Sequence, residues 1–407
     1  MCTTSLLYRK EYPTVRLQSR TYQLNVFANH IPIPIIDRLS IGLSPREDAM
    51  LTFGDPKYSS LRSTLHGLSI HEGGWVHPSF RIKDTFWSLT SNIPLTSLSV
   101  HSVYGILDAN LWQQWSSLST LSIQSSIHTD DCPRLVDGLA HMPALTSLDI
   151  SNNPIIDVHF PLAQWLHENE QLTTLDITNT TLSPDEIEAY GRMLCHNKTL
   201  STLRMGKSLI PDDDNSTAPC DITAFHDALR QTRTLTSLEV DILHNHPGYE
   251  SFMSALKGNR SLLRLSFASK LGYSDGIKFC GTMDDHPTIE ELNLSKCLNA
   301  WYSSMVDIKL LFSIFAKPGV LRVVYAHLDS AGIRAASRPP LITETLVKKT
   351  VTQNPRLCIY WECRTRVKGK WTNPRHRVNG IVDPCWIPVD YRKVRVVQPV
   401  AAKLRQQ

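Results

Sequence analysis

One nine-residue stretch, LTSLDISNN at residues 145–153, recurs along the chain in recognisable copies. Its apolar and polar residues alternate, so Leu148 and Ile150 lie on one side of a predicted strand and Ser147, Asp149 and Ser151 on the other. Seven further copies begin at Leu95, Leu118, Leu172, Leu200, Leu235, Leu262 and Ile289, and a possible first copy begins at Leu65. Copies at such regular spacing predict a repeat protein whose units stack on one another.

A second regularity precedes each strand. An apolar residue stands six positions before the first apolar residue of the strand in ten places: Leu89/Leu95, Trp112/Leu118, Leu139/Leu145, Leu166/Leu172, Leu194/Leu200, Leu229/Leu235, Leu256/Leu262, Met283/Ile289, Ile314/Val320 and Val351/Leu357. In five of these junctions an asparagine stands three residues after the first apolar residue of the pair: Asn92, Asn169, Asn197, Asn259 and Asn354. We expect these asparagines to adopt the left-handed conformation that ends a helix. The junction also predicts two degenerate strands, starting at Val320 and Leu357.

The stretches between the strands are compatible with helices, and the clearest covers residues 184–196. Ser183 is the expected N-cap, Pro184 suits the first helical position and Glu186 completes a capping box. Residues 224–229 and 249–256 repeat the pattern. Successive strand starts from Leu118 lie 27, 27, 28, 35, 27, 27 and 31 residues apart, which leaves room for a helix in each repeat.

Repeat length, helix and junction together resemble the ribonuclease-inhibitor-like class of leucine-rich repeats. This resemblance implies an α/β leucine-rich-repeat solenoid, a horseshoe with parallel strands on its concave face and helices on its convex face. It predicts a capping segment at residues 1–60, the repeat array at residues 61–361 and a basic C-terminal cap or tail at residues 362–407. The repeats do not alternate strictly between two types, and cysteine stands at the ninth motif position only at Cys297, so ribonuclease does not follow as a ligand.

Composition and motifs narrow the function classes. A net charge of +4 with 20% charged residues is too mild to demand a nucleic-acid or membrane partner. No apolar run approaches the roughly 18 residues of a transmembrane helix, and charge follows the first residues too soon for a secretory signal. Nine cysteines, an odd number, favour reduced thiols in the cytoplasm. Phosphate loops, zinc spacings and hydrolase motifs are missing from the sequence, so we expect no enzyme, cofactor or metal.

Two segments interrupt the repeats. Residues 207–221 lengthen one repeat and carry three consecutive aspartates, which indicate either a solvated insertion or an acidic contact loop. From Arg356 onward, 12 basic residues face three acidic ones, with Trp371, Trp386 and Tyr391 among them. We favour a C-terminal cap here over a contact with nucleic acid or another polyanion. A nucleophilic set of Cys363, His376 and Asp383 is the enzymatic alternative for residues 362–407.

The polar strand positions form the predicted binding surface. Its charged or ionisable members are His101, Asp149, Asp176, Arg204, Glu239, Asp241, Arg264 and Glu291. Asp149 and Asp176 share one motif position and would repel one another by roughly 1 kcal/mol in water. Arg204 in the next repeat would partly neutralise Asp176, which makes Asp149 the freer contact.

These observations predict a monomeric, non-catalytic scaffold that binds a protein through the concave face. A host-targeted bacterial effector is the favoured role. A substrate adaptor of a ubiquitin ligase is the alternative, weakened because residues 1–60 contain no F-box-like segment.

Overall fold

The computed structural model describes the repeat region and parts of its flanks. These are residues 14–18, 38–43, 65–72, 94–102, 112–127, 132–153, 159–180, 182–206, 223–241, 248–267, 273–284, 286–294, 311–317, 319–329, 349–350, 352–367, 370–372 and 395–397. The chain divides into two compact units, Met1–Leu200 and Ser201–Gln407. The predicted boundaries at residues 60 and 361 stay predictions.

Unit 1 is built on parallel strands that neighbour one another in chain order. They are β1 (Thr14–Gln18), β2 (Arg38–Leu43), β3 (Gly67–Glu72), β4 (Ser97–His101), β5 (Thr120–Gln124), β6 (Ser147–Asp149) and β7 (Thr174–Asp176). The possible first repeat at Leu65 is therefore confirmed as a strand. Parallel strands need a crossover between them, and helices lie between the later strands of this unit.

The helices of unit 1 alternate with its later strands along the chain. A 3₁₀ helix covers Trp112–Trp115, and three α-helices follow as α1 (Cys132–Leu139), α2 (His159–Glu168) and α3 (Pro184–His196). The predicted capping box of α3 is confirmed: the backbone N–H of Glu186 donates to Ser183 Oγ at 3.3 Å, and the Ser183 N–H donates to Glu186 Oε2 at 2.7 Å. Ile187, Tyr190 and Met193 are buried, so this face of the helix joins the core.

The core of unit 1 is a ladder of strand residues in register. Leu148 pairs with Leu121 on one side and with Leu175 on the other, and all three are fully buried. The leucines of the six-residue junctions, such as Leu139 and Leu166, are buried beside them. Each repeat therefore covers the apolar face of its neighbours, as expected of stacked repeats.

Unit 2 repeats this arrangement in its own strands and helices. Its parallel strands are β8 (Thr202–Met205), β9 (Ser237–Val240), β10 (Arg264–Phe267), β11 (Glu291–Leu294), β12 (Val323–Asp329) and β13 (Cys358–Val367). Its helices are α4 (Thr223–Gln231), α5 (Tyr249–Gly258) and α6 (Tyr273–Asp284), and residues 311–315 are also helical. The degenerate strands predicted from the junctions near Val320 and Leu357 are confirmed as β12 and β13.

Leucines and aromatic rings fill the core of unit 2. Leu203 and Leu238 are in register and buried. Phe267 lies between Phe252 and Phe279, with ring centroids 6.3 and 5.4 Å apart. The rings replace part of the leucine layer and bury large apolar areas.

Two short strands of the basic tail pair with β13. β14 (Lys370–Thr372) and β15 (Arg395–Val397) lie antiparallel to it, β15 opposite residues Ile359 to Trp361. Pairing supplies partners to backbone groups that an edge strand would otherwise expose. This arrangement suits a C-terminal cap. His376, Asp383 and Trp386 lie outside the described residues, as do the insertion at residues 207–221, Leu89 and Asn92.

The four junction asparagines that the structure describes, Asn169, Asn197, Asn259 and Asn354, do not adopt the left-handed conformation, so the prediction is wrong for them. Asn197 and Asn259 have φ of −66° and −68° with extended ψ. The Asn197 side chain instead joins two repeats: Nδ2 donates to the carbonyl of Leu166 at 2.7 Å, and Oδ1 accepts the N–H of Leu200 at 2.7 Å. An amide side chain suits this junction position because it can donate and accept a hydrogen bond at the same time. Left-handed residues occur at the strand ends, at Ser102, Ser125, Asn152 and Asn179.

A ladder of hydroxyl groups runs along the start of the strands of unit 1. The residue just after the first apolar motif position donates its side-chain O–H to the carbonyl of the equivalent residue one repeat earlier. The four bonds are Thr96 to His66 (3.3 Å), Ser119 to Thr96, Thr146 to Ser119 and Thr173 to Thr146 (3.0 Å each). The frequent serine or threonine at this position therefore has a structural role.

Candidate protein-binding surface

The polar strand face of unit 1 comprises the side chains that alternate with the buried ones on β4 to β7. Register sorts them into rows that cross the strands: one runs through Ser99, Ser122, Asp149 and Asp176, and another pairs His101 with Gln124. All are exposed or half-buried, whereas their neighbours along the strands are buried. The predicted alternation is therefore present in the structure.

Asp149 is held by three hydrogen-bond donors. Its Oδ2 accepts from Ser122 Oγ at 3.0 Å and from Gln124 Nε2, and its Oδ1 accepts from the backbone N–H of Ser151 at 3.0 Å. The Oε1 atom of Gln124 lies 3.3 Å from Nδ1 of His101. These three donors to Asp149 are uncharged. The carboxylate is thus fixed in place while its negative charge remains on the face.

Asp176 lies beside Asp149 on the next strand, where the two residues are register partners. Its Oδ1 accepts the backbone N–H of Thr178 at 3.0 Å, which repeats the contact between Asp149 and Ser151. Neighbouring strands lie about 4.8 Å apart. Two similarly oriented carboxylates therefore stand next to each other on this face.

The polar strand face of unit 2 carries charges of both signs. Arg204 and Glu239 are register partners. Arg264 Nε lies 3.3 Å from Glu291 Oε2, with 49% and 17% of the side chains exposed, so two predicted binding residues form an ion pair with each other. Asp241 is only 7% exposed and offers little surface to a partner.

Two serines of the predicted surface are covered in unit 2. Ser237 and Ser266 occupy outward strand positions but are only 3% and 4% exposed. The longer charged side chains of this face reach further from the strands than a serine hydroxyl does. These positions contribute little area for a partner.

Two tyrosine positions were missed by sequence reasoning. The row of Glu239 and Asn293 continues through Tyr325 on β12 and Tyr360 on β13. Counting the motif from Val320 would instead make Val323 the buried strand residue. The register differs by one residue, because Val324 pairs with Leu292 and is fully buried. A shift of one residue exchanges the two faces of a strand.

Metal-binding clusters and membrane-spanning helices can be assessed for the described residues. Within them, no group of three or more histidine, cysteine or acidic residues could hold a metal ion. No helix among these residues is long and apolar enough to cross a membrane.

Comparisons with known proteins give remote similarities. No protein-family model matches the chain, and no curated protein matches it. The solved yeast Rad7 and Elc1 complex is similar with a TM-score of 0.46 and 16% identity, over 80% of this chain and 75% of that chain. A structure of leiomodin-1 actin-binding site 2 is similar with a TM-score of 0.29 and 19% identity, over 38% of this chain and 83% of that chain. At these levels neither similarity carries an argument about function.

Proposed function

We propose that this chain is a non-catalytic protein-interaction scaffold whose unit 1 binds a cationic segment of a protein partner on the polar strand face. The observation that supports this most directly is the adjacent pair of Asp149 and Asp176. Asp149 receives hydrogen bonds from uncharged donors, so its charge is positioned but still able to attract a cation.

A lysine or arginine between the two carboxylates would relieve their repulsion and be attracted to both. One such contact at 4 Å is worth roughly 1 kcal/mol in water and about 4 kcal/mol where the effective dielectric constant is near 20. A carboxylate has about four acceptor sites, and three of those on Asp149 are occupied, so a further donor can be accommodated. Because Asp149 is already held, binding costs little side-chain entropy.

Unit 2 has a polar strand face of its own, which we propose as a separate contact. Arg204, Glu239 and the Arg264–Glu291 pair present mixed charge, which favours orientation and discrimination more than affinity. These contacts would select among cationic partners.

The test compares two variants that each remove one negative charge from unit 1. Asp149→Asn changes the polar strand face, whereas Glu188→Gln changes an exposed residue of α3 that pairs with Arg192. Synthetic peptides of equal length and opposite charge serve as probes in fluorescence anisotropy at low and high salt. We expect the wild-type chain to prefer the cationic peptide, Asp149→Asn to weaken this binding several-fold, and Glu188→Gln to leave it unchanged. Equal effects of the two substitutions would refute the proposed surface.

The double substitution Asp149→Lys with Glu239→Lys is the stronger perturbation. It should abolish binding of a protein partner and slow association at low salt. The melting temperature should fall by several degrees through loss of the three hydrogen bonds of Asp149, while the buried core stays folded. Unchanged partner binding by this folded double variant would move the site to the loops or the tail.

The same surface would serve a host-targeted effector or a substrate adaptor of a ubiquitin ligase, the two roles that the sequence suggests. A host-targeted effector needs one cytoplasmic target, whereas a ubiquitin-ligase adaptor must bind a ligase subunit and a substrate together. Cross-linking with mass spectrometry, in parallel for the wild type and Asp149→Asn, distinguishes one charge-dependent partner from a ternary assembly.

A further inference from the structure

Two histidines from neighbouring helices meet at the surface of unit 1. His167 lies in the last turn of α2 and His196 is the last residue of α3. Their ring centroids are 4.8 Å apart, with 51° between the ring planes, and both side chains are exposed. This histidine pair belongs neither to the buried core nor to the polar strand face.

His196 is already oriented as a metal-binding histidine would be. Its Nδ1 lies 2.9 Å from the carbonyl of Arg192. A carbonyl can only accept, so Nδ1 carries a proton, and in the neutral ring the lone pair is then on Nε2. A hydrogen bond from the second ring nitrogen to a backbone carbonyl is a frequent support for histidine ligands of metals.

The separation of the rings suits a shared ion. Two nitrogens bound at about 2.1 Å to one tetrahedral metal lie about 3.4 Å apart. Rings with centroids 4.8 Å apart can bring one nitrogen each to that distance with small rotations, since both side chains are exposed.

The electrostatic surroundings favour a cation. Both histidines stand at helix C-termini, where the macrodipole is negative. Glu168 and Glu170 are exposed close by along the chain, and Arg192 is engaged by Glu188. Lys198, which is also exposed, opposes this attraction.

We propose that His167 and His196 form a two-histidine site for a borderline divalent transition metal such as Ni²⁺ or Zn²⁺, with water completing the coordination. Imidazole is a preferred ligand of these ions. A bound ion would link the ends of α2 and α3 and stabilise unit 1 by mass action. The proposal is independent of the polar strand face, so either can fail without the other.

The test uses Ni²⁺, because the thiols of this cysteine-containing chain compete more strongly for Zn²⁺. The full chain, its His167→Gln and His196→Gln variants and the control His141→Gln are titrated by isothermal calorimetry with thiols kept reduced. His141 is an exposed histidine outside the pair. We expect either pair substitution to weaken the site by about 10–100-fold or more, and the control to leave it unchanged. Ni²⁺ should also raise the melting temperature of the wild type and the control more than that of the pair variants.

A second readout is made on the wild-type chain itself, and the variants serve only to assign its signals. In the wild-type chain labelled with ¹³C at histidine Cε1, substoichiometric paramagnetic Ni²⁺ should broaden two histidine signals first, and the glutamine variants assign them. Equal broadening of all exposed histidines would overturn the proposal. So would Ni²⁺ affinities that are the same in the wild type and the pair variants.

Discussion

His286 should make the stability of unit 2 depend on pH, and replacing it with asparagine should remove that dependence. It stands three residues into the junction of Met283 and Ile289, the position that Asn259 occupies one repeat earlier. Its Nε2 lies 2.9 Å from the carbonyl of Leu256, while Nδ1 lies 3.4 and 3.3 Å from the backbone nitrogens of Thr288 and Ile289. Neutral histidine with the proton on Nε2 therefore reproduces the donor and acceptor pattern of the asparagine amide.

Protonation of His286 destroys this pattern. A proton on Nδ1 would face two backbone N–H donors, and two accepted hydrogen bonds of about 1 kcal/mol each would be lost. Burial lowers the pKa of His286 below its ordinary value of 6.5, the positive charge of Arg260 lowers it further, and the hydrogen bond to Leu256 opposes both. The folded chain thus binds this proton less readily than the unfolded chain.

The direction of the pH effect follows from that difference. Well above pH 6.5 the histidine is neutral in both states, and its contribution to stability is complete. As the pH falls below 6.5, the unfolded chain is protonated first, so the free energy of unfolding decreases until the lowered folded-state pKa is passed. The slope for one proton cannot exceed about 1.4 kcal/mol per pH unit.

Urea denaturation of the wild type, His286→Asn and the exposed control His141→Asn between about pH 7.5 and pH 5 measures this effect. We expect the wild type and the control to lose about 1–2 kcal/mol more than His286→Asn over this range. Other groups titrate equally in all three chains, so only the difference between them reports on His286. A variant that loses stability in parallel with the wild type would refute the reasoning.

Three further predictions use the same denaturation assay. Gly138→Ala should lower the free energy of unfolding by about 1–3 kcal/mol, because a Cβ there would lie 2.3 Å from the buried ring of Trp112. The control Gly281→Ala meets no atom within 4 Å and should raise stability by up to about 1 kcal/mol. Equal effects of the two substitutions would contradict the packing argument. Thr146→Val should cost about 1 kcal/mol through loss of its bond in the hydroxyl ladder, and an unchanged midpoint would show that the bond has no net value. Leu175→Ala should cost about 2–5 kcal/mol and melt much of the array, since it is fully buried; a loss below 1 kcal/mol would argue against the stacked core.

The strands and the best helix could be predicted from the sequence because their signals are local. Alternation around Leu148 and Ile150 marks a strand within six residues, and the capping box of Ser183 and Glu186 marks a helix start within four. The spacing of six residues before each strand even identified β12 and β13, where the strand motif itself is weak. Periodicity and capping depend on the backbone geometry of a few consecutive residues, which any short window of sequence contains.

The roles of individual polar residues were decided by tertiary structure. Asn197 could be recognised as recurrent, but its partner Leu166 lies 31 positions away, and the sequence does not state which carbonyl the next repeat presents. The same holds for the bond of Asp149 to Gln124 and for the meeting of His167 with His196. Stacking brings residues about one repeat apart into contact, and a shift of one residue in strand register, as at Val324, changes which side chains are buried. The pattern of the repeat is therefore local, whereas the surface it presents depends on how neighbouring repeats align.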